Sequence, residues 1–281
     1  MTWKTAPWLR PLTASLTPLG GQLLRTLTGH SNSVRAVAVT PNGKQVISGS
    51  CDCTLKVWNL ETAEEEFTLT GHSYWVMAVA VTPNGKQVIS GSCDCTLKVW
   101  NLETAEVIAT FTGDSPISCC AVAPDGKQVI SGSYNSTLKV WNLETAEEQF
   151  TLTGHSYPVS AVAATPNGKQ VISGSVDCTL KVWNLETGEE EFTLTGHSNS
   201  VRAVAVTPNG KQVISGSEDS TLKVWNLETG EVIATFTGDS PISCCAVAPD
   251  GVTIAAGDSS GRVHFLRLEG LATDVVASSG G

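Results

Sequence analysis

Short runs of β-branched and small residues alternate with turn sequences along almost the whole chain. The run Ser-Val-Arg-Ala-Val-Ala-Val-Thr at 200–207 is followed by the turn sequence Pro-Asn-Gly-Lys at 208–211. Three further runs, at 212–215, 221–225 and 231–236, are separated by turn sequences of the same kind. No segment repeats its apolar residues with a helical period over the length that a helix needs. The pattern predicts four short antiparallel strands joined by tight turns.

The same unit is written six times along the chain. Its opening glycines are Gly29, Gly71, Gly113, Gly154, Gly196 and Gly238, so successive copies are 41 or 42 residues apart. A fixed period of this length is the signature of a repeat fold. A lone four-stranded sheet cannot bury both of its faces, whereas sheets stacked around an axis bury them against each other. The sequence therefore predicts an all-β fold, a single six-bladed β-propeller of four-stranded antiparallel blades.

The last copy contains three strands and needs a fourth from elsewhere. The segment 22–27 precedes the first Gly-His pair, where every other copy has its fourth strand. We predict that this N-terminal strand joins the last blade and closes the ring, which leaves no free edge. The tail segment 273–277 is the alternative. The predicted organisation is a Pro-rich lead at 1–20, a propeller at 21–269 and a C-terminal tail at 270–281.

Composition narrows the classes of partner. The chain of 281 residues has a net charge of −10 and no cluster of Lys and Arg, which argues against nucleic acid. No apolar run approaches the length of a membrane span, and the N-terminus lacks the apolar core of a secretory signal. Nine cysteines, an odd number, lie at repeat-equivalent positions. They favour a reducing, cytoplasmic setting over a disulfide framework.

The repeats resemble those of a known family. The pairs Gly29-His30 and Trp58-Asn59, with Asp52 between them, resemble the Gly-His, Trp-Asp and turn-Asp marks of WD repeats. The resemblance covers roughly residues 21–269. It departs from the family pattern because Asn stands where the family has Asp, at Asn59, Asn101, Asn142, Asn184 and Asn226.

The resemblance implies a hydrogen-bonded chain of His, Ser, Asp and Trp inside each blade. The matching sets are His30, Ser48, Asp52 and Trp58; His72, Ser90, Asp94 and Trp100; His155, Ser173, Asp177 and Trp183; and His197, Ser215, Asp219 and Trp225. Ser, His and Asp are also the residue types of a hydrolase triad. Four interchangeable copies, each ending on a Trp, favour a structural brace instead.

Copies three and six depart from these sets. Copy three has Asp114 in place of His and Asn135 in place of Asp, and keeps Ser131 and Trp141. Copy six has none of the four, and its equivalents are Asp239, Ala256, Ser260 and Leu266. We expect these two blades to lie on opposite sides of the ring and to be the less stable ones.

The copies differ mainly after the Gly-His pair and just before the turn Asp. In the family these positions lie on one face around the channel mouth and form the usual docking surface. The protein-binding candidates are Arg35, Tyr74, Trp75, Met77, Pro116, Tyr134, Tyr157, Pro158, Arg202 and Glu218. The other variable positions are Ser33, Cys51, Cys93, Ser118, Ser160, Val176, Ser200, Pro241, Ser243 and Ser259. Drift among recently copied repeats is the alternative explanation of this variation.

No motif for a cofactor, a metal or catalysis is present. Cys51 and Cys53, like Cys93 and Cys95, are separated by one residue, which is poor geometry for a zinc pair. The chain has no phosphate-binding loop of the known spacing. Propeller hydrolases need inward-facing carboxylate pairs or metals. Only Arg35, Arg202 and Glu218 are charged near the predicted mouth, so we expect no catalytic residues, no cofactor and no enzyme activity.

The sequence therefore predicts a non-catalytic module that binds a protein or peptide of unknown identity. The Pro-rich lead and the near-identical repeats are similar to the C-terminal arrays of bacterial, especially cyanobacterial, NB-ARC-type signal-transduction NTPases, which implies a sensor role. A structural or self-assembling scaffold is the alternative function, and a propeller hydrolase is a further one. We expect a monomer, with oligomers formed by blade exchange as the alternative.

Overall fold

Every regular element of the described residues is a β-strand. The structure is a computed structural model that describes residues 8–11 and 26–270. Strand β1 (Trp8–Pro11) comes first in the chain. Sheet 1 then contains β2 (Val34–Val39), β3 (Gln45–Ser50), β4 (Thr54–Asn59) and β5 (Glu65–Thr70). Sheet 2 contains β6 (Val76–Val81), β7 (Gln87–Ser92), β8 (Thr96–Asn101) and β9 (Val107–Thr112).

The remaining sheets repeat this order. Sheet 3 contains β10 (Ile117–Val122), β11 (Gln128–Ser133), β12 (Thr137–Asn142) and β13 (Glu148–Thr153). Sheet 4 contains β14 (Val159–Ala164), β15 (Gln170–Ser175), β16 (Leu180–Asn184) and β17 (Glu190–Leu194). Sheet 5 contains β18 (Val201–Val206), β19 (Gln212–Ser217), β20 (Thr221–Asn226) and β21 (Val232–Thr237). Sheet 6 contains β22 (Ile242–Val247), β23 (Thr253–Asp258), β24 (Val263–Glu269) and β1.

The turn between the first two strands shows how local sequence sets the hairpins. In sheet 1 the Thr40 hydroxyl donates to Asn42 Oδ1 at 2.7 Å, and the Gly43 amide donates to the Thr40 carbonyl at 2.8 Å. Gly43 has φ +69°, which glycine adopts without steric cost. The Pro-Asn-Gly-Lys sequence therefore reverses the chain in a short space, as the sequence predicted.

The apolar core lies between neighbouring sheets. One of its clusters joins Leu55 and Val57 of sheet 1 to Val76, Val88 and Trp100 of sheet 2. Equivalent clusters join sheets 2 and 3, 3 and 4, 4 and 5, and 5 and 6. The first strands also pack against each other in this order, from β2 to β22. The six sheets thus have the arrangement of a six-bladed propeller, with the first strands innermost.

The seam between sheets 6 and 1 differs from the other five. The described strands β22 and β2 do not make the contact that joins every other consecutive pair of first strands. Val34, at the start of β2, is 49% exposed, whereas its equivalents Val76, Val159 and Val201 are fully buried. Five seams of a six-bladed ring are therefore formed between described strands, and within the described residues the sixth is open.

An N-terminal strand completes sheet 6, but it is not the predicted segment. Strand β1 pairs antiparallel with β24, with Leu9 opposite Leu268 and Arg10 opposite Arg267. Thr26 and Leu27 are not in a strand. The rest of the predicted strand, 22–25, and the alternative segment, 273–277, lie outside the described residues. The prediction of an N-terminal fourth strand was right, but its assignment to 22–27 was wrong. The strand at 8–11 places Leu9 in the core between sheets 5 and 6, 7% exposed.

The identity of this strand can be tested with paired substitutions. We expect Leu9→Ala to lower the free energy of unfolding by about 2 kcal/mol, because a buried leucine is truncated. Leu24→Ala, in the segment predicted from the sequence, is the matched comparison. The measurement is chemical denaturation followed by tryptophan fluorescence. A loss at Leu24 with none at Leu9 would assign the fourth strand to residues 22–27.

Candidate functional site

Four sheets carry the predicted brace in the same geometry. In sheet 2, His72 Nδ1 lies 2.8 Å from Asp94 Oδ2, and His72 Nε2 lies 2.7 Å from Ser90 Oγ. The Trp100 indole N–H donates to the same Ser90 Oγ at 2.8 Å. The chain of bonds is satisfied when His72 Nδ1 carries the proton and donates it to Asp94. The braces at His30, His155 and His197 repeat these contacts at 2.7–2.8 Å.

Each brace also includes a threonine that the sequence analysis missed. The Thr96 hydroxyl donates to Asp94 Oδ1 at 2.6 Å, and the Ser73 amide donates to Asp94 Oδ2 at 2.9 Å. The equivalent threonines are Thr54, Thr179 and Thr221. The signal was present, because a Thr follows two residues after the Asp in all four copies. The carboxylate therefore holds the loop after Gly-His and the turn before the third strand together.

The hydrogen bonds control the charge of the brace. Burial alone would raise the pKa of Asp94, but donors from Thr96, the Ser73 amide and His72 outweigh it and lower the pKa to about 2. Asp219 has the same environment and a pKa of about 2. Burial lowers the pKa of His72 and of His197, against the pull of their aspartates. A neutral imidazole bonded to a carboxylate anion is the form that results.

Sheets 3 and 6 have other arrangements. In sheet 3 the Trp141 indole still donates to Ser131 Oγ at 2.9 Å, but Asp114 is 2.9 Å from Lys139 Nζ at the surface. In sheet 6, Asp258 Oδ2 lies 3.0 Å from His264 Nε2, and the Ser260 and Arg262 amides donate to Asp258 Oδ1. Asp258 and His264 occupy positions that hold Ser and Lys in the other copies, so sheet 6 has a shorter substitute brace that the sequence analysis did not anticipate.

The braced loops surround the mouth of a central cavity of about 370 Å³. Sheets 2 to 6 all contribute to its wall, and most of the lining residues are positions that differ between the copies. The lining residues are Met77, Ser118, Tyr134, Pro158, Val159, Ser160, Val176, Arg202, Glu218, Pro241, Ser243 and Ser259. Val159 alone among them was not a predicted variable position, because it belongs to the seam between sheets 3 and 4.

An exposed aromatic pair lies at the same end of sheet 2. The rings of Tyr74 and Trp75 are stacked with centroids 5.1 Å apart, and the two residues are 49% and 40% exposed. The Cys93 amide donates to the Trp75 carbonyl, as the Tyr134 amide donates to Pro116 in sheet 3. These equivalent bonds place the Tyr74–Trp75 pair on the face that surrounds the cavity mouth.

The charged candidates are paired within their own sheets. The Arg202 guanidinium donates to Glu218 Oε1 from Nε at 2.8 Å, on the cavity wall. The Arg35 Nε donates to Cys51 Sγ at 3.2 Å, outside the residues that line the cavity. Burial raises the pKa of the Tyr134 phenol, Cys93 adds to this, and the charges of Arg202 and Arg35 oppose it.

The structure brings together part of the predicted binding set. Met77, Tyr134, Pro158, Arg202 and Glu218 line the cavity. Around the mouth lie the remaining candidates, among them Tyr157, which is 58% exposed. Their role in binding stays a prediction. Glu218 is the single carboxylate among the lining residues, and it is bonded to Arg202.

Among the described residues, no His, Cys, Asp and Glu side chains form a group of three or more that could hold a metal ion. Within residues 8–11 and 26–270, no helix has the length and apolar character needed to cross a membrane.

Comparison with protein families explains the spacing of 41 or 42 residues between copies and the repeated braces. Six stretches match the family described as WD domain, G-beta repeat, at residues 21–59, 63–101, 105–142, 146–184, 188–226 and 230–265. The chain belongs to the WD-repeat family. Each match ends within the third strand of a sheet, so one WD repeat combines the fourth strand region of one blade with three strands of the next. WD-repeat proteins generally act in protein–protein interaction.

Individual relatives align with short stretches of this WD-repeat chain. Human striatin is 44% identical over 50 residues, which are 17% of this chain and 6% of striatin. Nuclear distribution protein PAC1 of Scheffersomyces stipitis is 43% identical over 54 residues, 19% of this chain and 10% of PAC1. Striatin-3 of Rattus norvegicus is 38% identical over 50 residues, 17% of this chain and 6% of the relative. The aligned part is thus a tenth or less of the length of these three relatives.

Acid should weaken the aspartate braces. The pKa of Asp94 is about 2 in the fold and about 4 in an unfolded chain, so between these values the unfolded state binds more protons. The ionised Asp94 stabilises the fold fully at pH values above its pKa in the unfolded chain. This stabilisation is lost as the pH falls to the pKa of Asp94 in the folded protein. We expect Asp94→Asn to lower the melting temperature most at neutral pH, and the difference from the unsubstituted protein to shrink between about pH 5 and pH 2.

The comparison for this experiment is Asn135→Ala, because Asn135 holds the same position in sheet 3 without a carboxylate. Its effect on the melting temperature should not depend on pH in this range. Thermal unfolding followed by circular dichroism measures both variants. An Asp94→Asn effect that stays constant down to pH 2 would contradict the assignment of the acid loss to this carboxylate.

Sheet 3 should open more readily than its neighbours. It has seams on both sides but lacks the His–Asp part of the brace. We expect backbone amides of β10–β12 to exchange hydrogen faster than those of β6–β8 and β14–β16, measured by hydrogen exchange and mass spectrometry under native conditions. Equal protection in the three sheets would show that the seams alone determine local stability. Sheet 6, with its substitute brace and open seam, is a separate case.

Proposed function

We propose that this WD-repeat chain is a non-catalytic interaction module that binds a protein or peptide at the cavity mouth. One observation carries the proposal. Several of the residues around the mouth differ between the copies, whereas the braces beneath them keep the same hydrogen bonds within 0.1 Å in four sheets. A rigid scaffold that presents dissimilar side chains on one face is suited to recognition.

The chemistry of the face supports a peptide or protein ligand. The Tyr74–Trp75 pair and Tyr134 offer flat apolar surface with polar edges, and such residues dominate binding energy at interfaces. The nearby serines and prolines are small and neutral. The ion pair of Arg202 and Glu218 adds one charged contact point at the wall. A ligand with an apolar side chain for the aromatic pair and backbone groups for the serines fits this surface.

A narrower proposal is that the module senses a signal for a linked NTPase of the NB-ARC type. The resemblance of the Pro-rich lead and of the near-identical repeats to such bacterial proteins is its support. A cytoplasmic location belongs to the same proposal. The curated relatives described above are eukaryotic and do not bear on it.

A selection of binding peptides tests the proposed face. Peptides from a displayed random library, selected on the unsubstituted protein, should bind at least about tenfold more weakly to the double variant Trp75→Ala, Tyr134→Ala, since interface aromatics of this kind are typical hot spots. The affinities are measured by isothermal titration calorimetry. The control is Val107→Ala with Ile108→Ala, which truncates two exposed apolar residues of the outer strand β9.

The outcome separates the proposed face from a general effect of apolar surface. Loss of binding in the control pair, with binding kept in the aromatic variant, would place the ligand on the outer edge of sheet 2. Peptides that tolerate both pairs would contradict the proposed role of the aromatic residues.

A further inference from the structure

Every formed seam uses the same close contact between a β-branched side chain and a glycine. A Cβ built on Gly174 in β15 would lie 2.6 Å from Val201 Cγ1 of the next sheet, closer than real Cβ contacts come. The pairs Gly49 with Val76 and Gly216 with Ile242 show the same geometry at 2.7 and 2.6 Å. The second strand of each sheet thus receives the first residue of the next first strand, because glycine leaves the space.

Both halves of this contact are present at the open seam, and neither is used. Val34 holds the β-branched position in sheet 1 and is 49% exposed. Gly257 holds the glycine position in sheet 6, and a Cβ built there would meet Cys244 Sγ of its own sheet and no atom of sheet 1 within 4 Å. Sheet 1 therefore presents the inserting side of a seam, and sheet 6 the receiving side, without the matching neighbour.

The open face of sheet 1, defined by Val34, Val37 and Val46, borders a cavity of about 410 Å³, whose wall also includes the buried Trp58. In sheet 2 the equivalent surface is covered by Ile47, Leu55, Val57 and Leu69 of the preceding sheet. On sheet 1 none of the described strands takes this place, and Val37 is 65% exposed. The face is uncharged and apolar, so its exposure to water is unfavourable.

Sheet 6 does not carry the side chains that fit this face. In sheets 1 to 5 the covering set begins with an Ile and a Val, such as Ile47 and Val57, and both are fully buried. The equivalents in sheet 6 are Ala255 and Phe265, and Phe265 is 45% exposed. One side chain is too small and the other too large for the position. A second copy of the chain would present the same two residues.

The chain also crosses to sheet 1 differently from elsewhere. Between β1 of sheet 6 and β2 of sheet 1 there are 22 residues, 12–33, whereas four to six residues separate the outer strand of each other sheet from the next first strand. The long crossing allows the two faces to stand apart. A further sheet between them is therefore compatible with the connectivity.

We propose that the open face of sheet 1 binds a four-stranded antiparallel sheet supplied by a partner protein, inserted between sheets 6 and 1. The partner sheet places Ile, Leu and Val on the face that covers Val37 and Val46, and a glycine in its second strand receives Val34. On its other side, a β-branched residue at the start of its first strand occupies the space at Gly257. This surface is distinct from the cavity mouth, and the interaction is additional to peptide binding there.

A repeat of this chain provides the probe, since it carries the required side chains. Residues 154–195, which contain β14–β17, are prepared as a separate polypeptide with Ile172, Val182 and Gly174 on its covering face. Because a lone four-stranded sheet leaves a face exposed, circular dichroism follows the folding of the probe with and without the full chain. We expect a 1:1 complex with the full chain by analytical ultracentrifugation and a rise in the melting temperature of the full chain. The control probe carries Ile172→Asp and Val182→Asp and should not bind.

Substitutions in the full chain locate the complex. Val34→Asp should weaken probe binding by about tenfold or more, because a carboxylate would be buried against the probe without a partner. Val107→Asp changes a similarly exposed valine, 40%, in the outer strand β9 and should leave the affinity unchanged. Val37→Asp is the second variant on the open face, and circular dichroism verifies the fold of each.

Three results would overturn the proposal. The first is the absence of binding of the probe, or equal weakening by Val34→Asp and Val107→Asp. The second is a self-association of the full chain that Val34→Asp abolishes, which would assign the face to a second copy. The third is a loss of stability of the full chain alone on Val34→Asp that equals the loss on Val76→Asp, which would show that sheets 6 and 1 close on each other in solution.

Discussion

The close approach of neighbouring sheets is the constraint on which the rest of the structure depends. A sheet of four short strands has two apolar faces, and each face is buried when the next sheet comes close enough for a Val or Ile to sit directly on a glycine backbone. This contact fixes the distance between first strands, and the first strands in turn form the wall of the central cavity. The hydrogen-bonded braces then hold the loops at the mouth in positions that the seams have already determined.

Much of the fold and of the braces could be predicted because the sequence repeats. A pattern that is ambiguous once, such as Gln-Val-Ile-Ser-Gly-Ser, becomes informative when five copies place the same residues between the same turns. The strands, the sheet order and the brace residues at His72, Ser90, Asp94 and Trp100 followed from that comparison. The Thr two residues after the Asp repeats in the same four copies and was equally predictable from the sequence.

The errors fall where the chain stops repeating. The fourth strand of sheet 6 was placed at 22–27 because that segment occupies the repeat-equivalent place, but β1 fills the position and buries Leu9. The substitute brace of Asp258 and His264 has no counterpart in the other copies, so no comparison could reveal it. The open seam could not be predicted from the sequence either. Val34 and Gly257 are the residues expected at a formed seam, and only the three-dimensional structure shows that they do not meet.

The open seam and the cavity mouth are physically connected. Sheets 2 to 6 line the cavity, whereas Arg35 of sheet 1, the counterpart of Arg202, lies outside the lining. A sheet inserted between 6 and 1 would complete the circle of first strands and add its own loop to the mouth. Because the first strands pack against one another in chain order, the inserted sheet would lie beside Ser243 and Ser259 of the cavity wall on one side and beside Arg35 on the other. A partner at the seam can therefore change the surface that a ligand meets at the mouth, although the two ligands share no contact residue.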